Sequence, residues 1–238
     1  YAVAAGAGLL MAQVYLLGRP LWPAVPTMED LRQGLPFSLG GSAEKIRSGS
    51  DAFMLVRFDQ PVEAGIYGAA NRLMGAATAP IRALSHATNA RAYEAGARSI
   101  GAVRRLTLRM AALAMAWAVP LGVVLALAGP WIVRPLPSDY AVAGTALQWM
   151  AVLPALLAIQ MFGSTALTAS GHQAIRVQLM LVTAVANVAL NAVLIPAYGW
   201  RGAVAATIAT TTAYGLGAWS VMTVLANRER RAPEVAGS

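Results

Sequence analysis

Long apolar runs without charged residues alternate along this chain with short polar or basic connections. Asp, Glu, Lys and Arg are absent from five runs, at residues 1–18, 110–133, 140–175, 177–200 and 202–227. A helix needs about 20 such residues to cross the hydrocarbon core of a bilayer. The pattern therefore predicts an all-α membrane protein.

Two further apolar segments, at residues 35–58 and 65–90, contain charged or titratable side chains. They include Glu44, Lys45, Arg47 and Asp51 in the first segment, and Arg72, Arg82 and His86 in the second. Such side chains within a membrane segment face protein or water rather than lipid. When both segments are included, the chain is predicted to form about seven transmembrane helices.

The arginines in the connections predict how the chain is oriented. Residues 19–34 contain three prolines and four charged residues, a composition that predicts a linker. If this linker is cytoplasmic, alternating crossings place eleven arginines on the cytoplasmic side and three on the other. Cytoplasmic loops carry an excess of Lys and Arg, so the sorting supports the helix count and predicts a cytoplasmic C-terminus.

The composition excludes several classes of function. The chain is 58% hydrophobic and 12% charged with a formal net charge of +8, but its basic residues lie between apolar blocks, which argues against nucleic-acid binding. It has no cysteine, which excludes disulfides and Cys-ligated metal sites. Phosphate-binding loops and hydrolase motifs are absent, so we expect neither an enzyme nor a cofactor.

The charges of the 35–58 segment recur at helical spacing. Glu44, Arg47 and Asp51 follow one another at i, i+3 and i+7, which places them on one face of a helix. One interpretation is a structural ladder of ion pairs that holds this helix against a neighbour. The other is the wall of a water-filled pathway for a substrate or a proton.

A polar stripe also runs along the 65–90 segment. It consists of Asn71, Thr78, Arg82, Ser85, His86 and Asn89, with Arg72 at its margin. Such a stripe fits the wall of a cavity that attracts anions better than a surface that faces lipid. Histidine can also change its charge within the physiological pH range. The alternative is that Arg72 and Arg82 pair with Glu44 and Asp51, while His86 only donates a hydrogen bond.

The polar residues of the later segments are predicted to have a structural role. Thr183, Asn187 and Asn191 step along one face at i, i+4 and i+8, a spacing typical of hydrogen bonds between membrane helices. His172 stands in a short connection without a second metal ligand nearby. We therefore predict no metal site.

Several stretches carry recognisable motifs: DAFML (51–55), AGIYGAANRL (64–73), TASGH (168–172) and NVALNAVLIPAYGWRGAVAAT (187–207). Together they resemble the C-terminal half of prokaryotic polysaccharide flippases in the multidrug/oligosaccharidyl-lipid/polysaccharide exporter superfamily. PWIVRPLPSDY departs from the family pattern because it lacks the Phe-Gly element before its tyrosine.

The resemblance implies a domain organisation. Residues 1–18 would be the last helix of a truncated N-terminal lobe, and residues 19–34 a cytoplasmic linker between lobes. Residues 35–226 would form a six-helix C-terminal lobe of a two-lobed flippase fold, followed by a cytoplasmic tail at 227–238. Because the chain opens at Tyr1 inside an apolar run, we expect it to be a fragment.

The resemblance also implies a function: translocation of an undecaprenyl-pyrophosphate-linked oligosaccharide across the bacterial inner membrane, through a basic cavity with alternating access. The expected partners are this lipid-linked substrate, membrane lipids and other polysaccharide-assembly proteins. We expect substrate contacts from Arg47, Arg72, Arg82, Asn71 and Asn89, and coupling-ion or proton binding by Glu44, Asp51 and His86.

Two alternatives remain open at this point. A cation- or proton-coupled multidrug exporter of the same superfamily would favour an acidic and aromatic pocket over an arginine-rich one. A non-transporting membrane protein, or a membrane-embedded enzyme of the polysaccharide pathway, is the alternative from another class. Such an enzyme would require large loops outside the cytoplasm, whereas the loops in this sequence are short.

Overall fold

A computed structural model describes residues 49–58, 60–135, 137 and 140–235, together with the isolated Met28. The predicted helix at 1–18, the linker at 19–34 apart from Met28, and the site candidates Glu44 and Arg47 lie outside the described residues. From residue 49 onward, the described residues belong to one compact unit, Leu39–Ser238.

The described chain is built from helices and contains no strand within its described ranges, which confirms the all-α prediction. Helix α1 is described at residues 49–57. The helices that follow are α2 (Pro61–Ala77), α3 (Ala79–Arg98), α4 (Ile100–Ile132), α5 (Ala141–Trp149), α6 (Leu153–Ala169), α7 (Gln173–Tyr198) and α8 (Trp200–Val235).

Two of the predicted membrane segments are broken rather than continuous. The segment expected at 65–90 is shared between α2 and α3, which meet at Thr78. The segment expected within the charge-free run at 140–175 consists of α5 and α6, which are bent by 50° relative to each other. Pro80 and Pro154 occupy the first turns of α3 and α6, where proline is tolerated because the first amides of a helix have no intrahelical partner.

Proline does not end a helix at every position. Pro196 lies inside α7, which continues to Tyr198 and has Gly199 at its C-terminus in a positive-φ conformation (φ 57°). Pro120 and Pro130 likewise lie inside α4. Membrane helices tolerate such prolines when neighbouring groups satisfy the freed backbone atoms.

Two described helices, α4 and α7, are long and apolar enough to cross a membrane by length and composition, and the bent pair α5 and α6 would be a third span. This finding agrees with a membrane transporter fold. The count of about seven crossings stays a prediction, since part of it concerns residues outside the described ranges.

Hydrogen bonds between helices define the two ends of this unit. At one end, Glu229 of α8 accepts hydrogen bonds from the amides of Ile100 and Gly101, both 2.9 Å long, at the start of α4. At the other end, Glu63 of α2 accepts a 3.0 Å bond from the amide of Trp200, at the start of α8. Each carboxylate satisfies amides that the helix itself leaves without a partner.

Candidate transport cavity

A cavity of about 760 Å³ opens between α1, α2, α3, α6, α7 and α8. Its wall combines apolar side chains, among them several methionines and leucines, with a large set of polar ones. The polar and charged lining residues are Asp51, Tyr67, Asn71, Thr78, Arg82, Ser85, His86, Asn89, Gln160, Ser164, Thr165, Arg176, Thr207, Thr211 and Tyr214.

A cluster at the wall, which we name the carboxylate site, consists of the lining residues Asp51, Tyr67 and Thr207 and of the fully buried Asn191 behind them. Asp51 is only 3% exposed, yet it borders the cavity. Its Oδ2 accepts hydrogen bonds from the hydroxyls of Tyr67 (2.5 Å) and Thr207 (2.9 Å). Its Oδ1 accepts a 2.5 Å bond from the side-chain amide of Asn191. Side chains from α1, α2, α7 and α8 therefore converge on a single carboxyl group.

A second layer of polar side chains supports the carboxylate site. Asn187 is fully buried, and its Oδ1 accepts bonds from Asn191 Nδ2 and Ser50 Oγ, both 3.1 Å long. Its Nδ2 donates to Thr210 Oγ1 at 3.3 Å. The predicted hydrogen bonds between helices are thus confirmed for Asn187 and Asn191. For Thr183 the prediction is wrong, because its hydroxyl donates to carbonyls of its own helix.

The described partners of Asp51 are all neutral. Within the described ranges of the chain, no ion pair joins Asp51 to Arg72 or Arg82, so the alternative in which these arginines neutralise Asp51 is not formed. A charged group buried without a counter-charge is costly, and its cost is offset only by hydrogen bonds or by a bound proton or cation. The carboxylate site is therefore chemically suited to take up a positive charge.

A different part of the cavity, which we name the basic wall, consists of Arg82, His86 and Arg176. Arg82 and His86 lie on α3, four residues apart, and border the cavity together with Asn89. Arg176 lies in the first turn of α7, and its Nε donates to Ser164 Oγ at 2.9 Å. Ser164 also accepts a 3.1 Å bond from the Tyr214 hydroxyl, so the guanidinium group is held by α6 and α8.

The two parts are separated along the helices. Arg82 follows Tyr67 by 15 residues along α2 and α3. At 1.5 Å per residue this corresponds to roughly 22 Å along the helical path. The negative charge of the cavity thus lies towards one end and its arginines towards the other, with neutral side chains such as Asn71 and Thr78 between them.

The structure brings together most of the residues that the sequence singled out. Asp51, Asn71, Arg82, His86 and Asn89 all line the cavity. Arg72 does not line it and has an exposed side chain. The roles assigned to the residues that line the cavity, and those of Glu44 and Arg47 outside the described ranges, stay predictions. Because Arg72 lies away from the cavity lining, we no longer expect it to contact the substrate.

Several lining residues were not singled out by the sequence analysis. Arg176 separates the charge-free runs at 140–175 and 177–200, so the sequence pattern assigns it to a connection between membrane segments. In the structure it precedes Met180 by one helical turn on α7 and lines the cavity. Tyr67 and Thr207 gave no periodic signal, because they meet Asp51 only after folding. Gln160 is also buried at the cavity, and its Oε1 has no hydrogen-bond partner among the described residues.

The described residues contain no group of three or more His, Asp and Glu side chains that could hold a metal ion. The carboxylate site instead gathers one carboxylate with amide and hydroxyl oxygens. Hard oxygen atoms of this kind suit a proton or a hard cation better than a transition metal.

Comparison with known proteins finds one protein family that matches this chain. The family model described as MatE matches residues 36–193, which is about two thirds of the chain and extends from before α1 into α7. No curated protein and no solved structure matches the chain.

Proposed function

Because the chain belongs to the MatE family, whose members are membrane transporters of the exporter superfamily and not enzymes, we propose that it takes part in translocating an undecaprenyl-pyrophosphate-linked oligosaccharide. The membrane is the bacterial inner membrane, and the C-terminus lies on its cytoplasmic side. Other polysaccharide-assembly proteins are the proposed partners.

The observation that carries this proposal is the basic wall. Arg82, His86 and Arg176 converge on a cavity in which no described cation is neutralised by a carboxylate. Guanidinium groups pair bidentately with phosphate oxygens, and they keep their charge at any physiological pH. A cavity of this kind attracts an anionic headgroup such as a pyrophosphate, whereas a site for cationic drugs favours acidic side chains.

In the proposed mechanism no covalent bond is made or broken. The pyrophosphate and its sugars occupy the cavity while the prenyl tail stays in the lipid. A second lobe closes the cavity from the other side, and rocking of one lobe against the other exposes the headgroup first to the cytoplasm and then to the outer face. The lobe described here contributes the basic wall and the carboxylate site.

The carboxylate site is the proposed place of coupling. Asp51 is satisfied by neutral donors, so a proton or a monovalent cation can bind there without breaking an ion pair. The buried Asn191 Oδ1 has no described partner and offers one more oxygen to such a cation. A gradient of that ion would supply the driving force, because the sequence holds no nucleotide-binding loop.

Charge removal in the basic wall tests the proposal. The variants Arg82→Gln and Arg176→Gln each remove a guanidinium from the basic wall, and Arg72→Gln is a matched control outside the cavity. A hydrogen bond to a charged group contributes about 1.5–3 kcal/mol, so we expect at least a tenfold loss of translocation for each wall variant. The readout is surface polysaccharide in cells producing the full-length protein, normalised to the amount of protein in the membrane.

The control makes the result specific to the cavity. We expect Arg72→Gln to keep normal surface polysaccharide and normal membrane insertion. Full polysaccharide in both wall variants would reject the proposal. If instead the cells lose resistance to cationic drugs when Asp51 is changed to Asn, while polysaccharide is unaffected by any variant, the multidrug exporter is the correct function.

A further inference from the structure

A second concavity, separate from the transport cavity, lies between α3 and α4. It has a volume of about 320 Å³ and shares no lining residue with the cavity described above. Its rim carries Arg91, Glu94 and Arg98 from α3, and Arg105 and Arg109 from α4. We name it the arginine groove.

The floor of the arginine groove is apolar. It is formed by Ala95, Ala102 and Leu106, which are half-buried between the two helices. Small side chains at two of these positions leave room for a group to enter between the exposed guanidinium groups. The groove therefore combines a charged rim with a short hydrophobic base.

The charges of the groove are not balanced within the described part of the chain. Four guanidinium groups face one carboxylate, and none of the five side chains makes an ion pair or a hydrogen bond among the described residues. Like charges held close together destabilise one another. An anion bound between them would relieve this repulsion and could accept several charge-assisted hydrogen bonds.

The position of the groove along α4 indicates where such an anion comes from. Arg109 is the last charged residue before the charge-free run at 110–133, and α4 is long and apolar enough to cross a membrane. Leu113 and Trp117 follow in this run, and both have side chains at least half exposed. The groove thus lies where the polar part of the helix gives way to its apolar part, at the level expected for lipid headgroups.

Aromatic placement agrees with this level. Tyr93, which lies next to Glu94 on α3, is 49% exposed. Tyr is enriched at membrane interfaces, where its ring contacts lipid and its hydroxyl contacts water. Basic pockets between membrane helices on the cytoplasmic side are also a recurrent form of anionic-lipid site. The arginine distribution predicts that this end of α4 is cytoplasmic.

We propose that the arginine groove binds the phosphate of an anionic glycerophospholipid from the surrounding bilayer. Arg98 and Arg105 hold the phosphodiester from α3 and α4, and an acyl chain runs along the exposed apolar face of α4. The bound lipid bridges the junction at Ser99, where the two helices meet. This site is independent of the transported substrate.

Lipid titration of the purified full-length chain in neutral detergent tests the proposal. Native mass spectrometry counts bound molecules of phosphatidylglycerol, of phosphatidylcholine and, as a third arm, of inorganic phosphate. The test variant is the double substitution Arg98→Gln and Arg105→Gln. The control is Arg134→Gln with Arg201→Gln, which removes two exposed arginines outside the groove, each resting on a tryptophan ring.

We expect the unmodified chain to prefer phosphatidylglycerol over phosphatidylcholine, and the groove variant to bind phosphatidylglycerol about thirtyfold more weakly. The control should keep the preference of the unmodified chain. Equal binding of both lipids, an equal loss in both variants, or unchanged binding in the groove variant would each overturn the proposal. Inorganic phosphate bound as tightly as phosphatidylglycerol would show that the groove recognises free phosphate and not a lipid.

Discussion

Replacing Gly96 with alanine should force helices α3 and α6 apart. At this position α3 passes directly over the end of α6, and a Cβ atom on Gly96 would lie well inside van der Waals contact with the carbonyl of Ala169. It would also meet the next backbone nitrogen, that of Ser170, at 3.4 Å. Because the obstacle is backbone and not the end of a flexible side chain, no rotamer change can relieve the overlap.

The size of the effect follows from two opposing contributions. Overpacking of a tight contact costs about 1–3 kcal/mol, and a clash with backbone belongs at the upper end of this range. Alanine in place of glycine inside a helix stabilises the folded state by roughly 1 kcal/mol, because alanine has the higher helix propensity. The net loss of about 2 kcal/mol corresponds to a melting temperature lower by about 4–8 °C for a chain of this size.

Gly68→Ala provides a matched control of opposite sign. Gly68 lies inside α2, and a Cβ atom there would have no neighbour within 4 Å. Only the helix-propensity gain of about 0.5–1 kcal/mol applies, so this variant should melt roughly 1–4 °C higher than the unmodified chain. The assay is thermal unfolding of the purified chain in detergent. A Gly96→Ala protein that melts at or above the unmodified chain would refute the described packing of α3 on α6.

Three further changes test other contacts. Glu229→Ala removes the acceptor of the first two amides of α4, so these amides should exchange with deuterium about fivefold faster; unchanged exchange would contradict the capping role. Tyr67→Phe removes one donor to the Asp51 carboxylate and should destabilise the protein by about 1.5–3 kcal/mol in chemical unfolding, while the exposed control Tyr93→Phe should have no effect. Gly199→Ala places a side chain at φ 57° and ψ −136°, a conformation that costs about 1–3 kcal/mol without glycine. A Gly199→Ala protein with an unchanged melting temperature would be inconsistent with this turn.

The helical nature of the chain could be read directly from the sequence. The runs at 110–133 and 177–200 are continuous, apolar and free of charge, and all but their last one or two residues fall inside α4 and α7. This works because a bilayer imposes a local rule: each spanning segment must satisfy its own backbone. Because this requirement applies to each segment separately, the sequence of one segment is enough to predict that it is helical.

The positions at which helices break could not be predicted from the sequence of single segments. Pro80 and Pro154 begin new helices, whereas Pro120 and Pro196 are accommodated inside longer ones. The difference depends on whether neighbouring helices satisfy or displace the freed backbone groups, and one segment of sequence does not contain that information. For this reason two predicted segments proved to be pairs of helices.

The sequence predicts the part of the cavity wall that is formed by one face of a single helix. Helical periodicity placed Arg82, His86 and Asn89 on one stripe, and the structure turns this stripe towards the cavity. Arg72, at the margin of the stripe, falls outside the cavity lining. Contacts between distant segments, such as Thr207 with a carboxylate on α1, depend on how the helices pack and leave no periodic signal.

The charged residues of the cavity show why an ion pair cannot be inferred only because two membrane segments carry side chains of opposite charge. Charge counting suggested that arginines of the polar stripe could neutralise Asp51, but a direct ion pair would fix both groups and remove both charges from the cavity. The structure instead satisfies Asp51 with three hydroxyls and one amide, which meet its hydrogen-bonding needs without cancelling its charge. The guanidinium of Arg176 is oriented by Ser164, again a neutral group. Because Asp51 and Arg176 are each held by neutral side chains, the acidic and basic parts of the cavity remain separately available, one to a positive ligand and the other to a negative one.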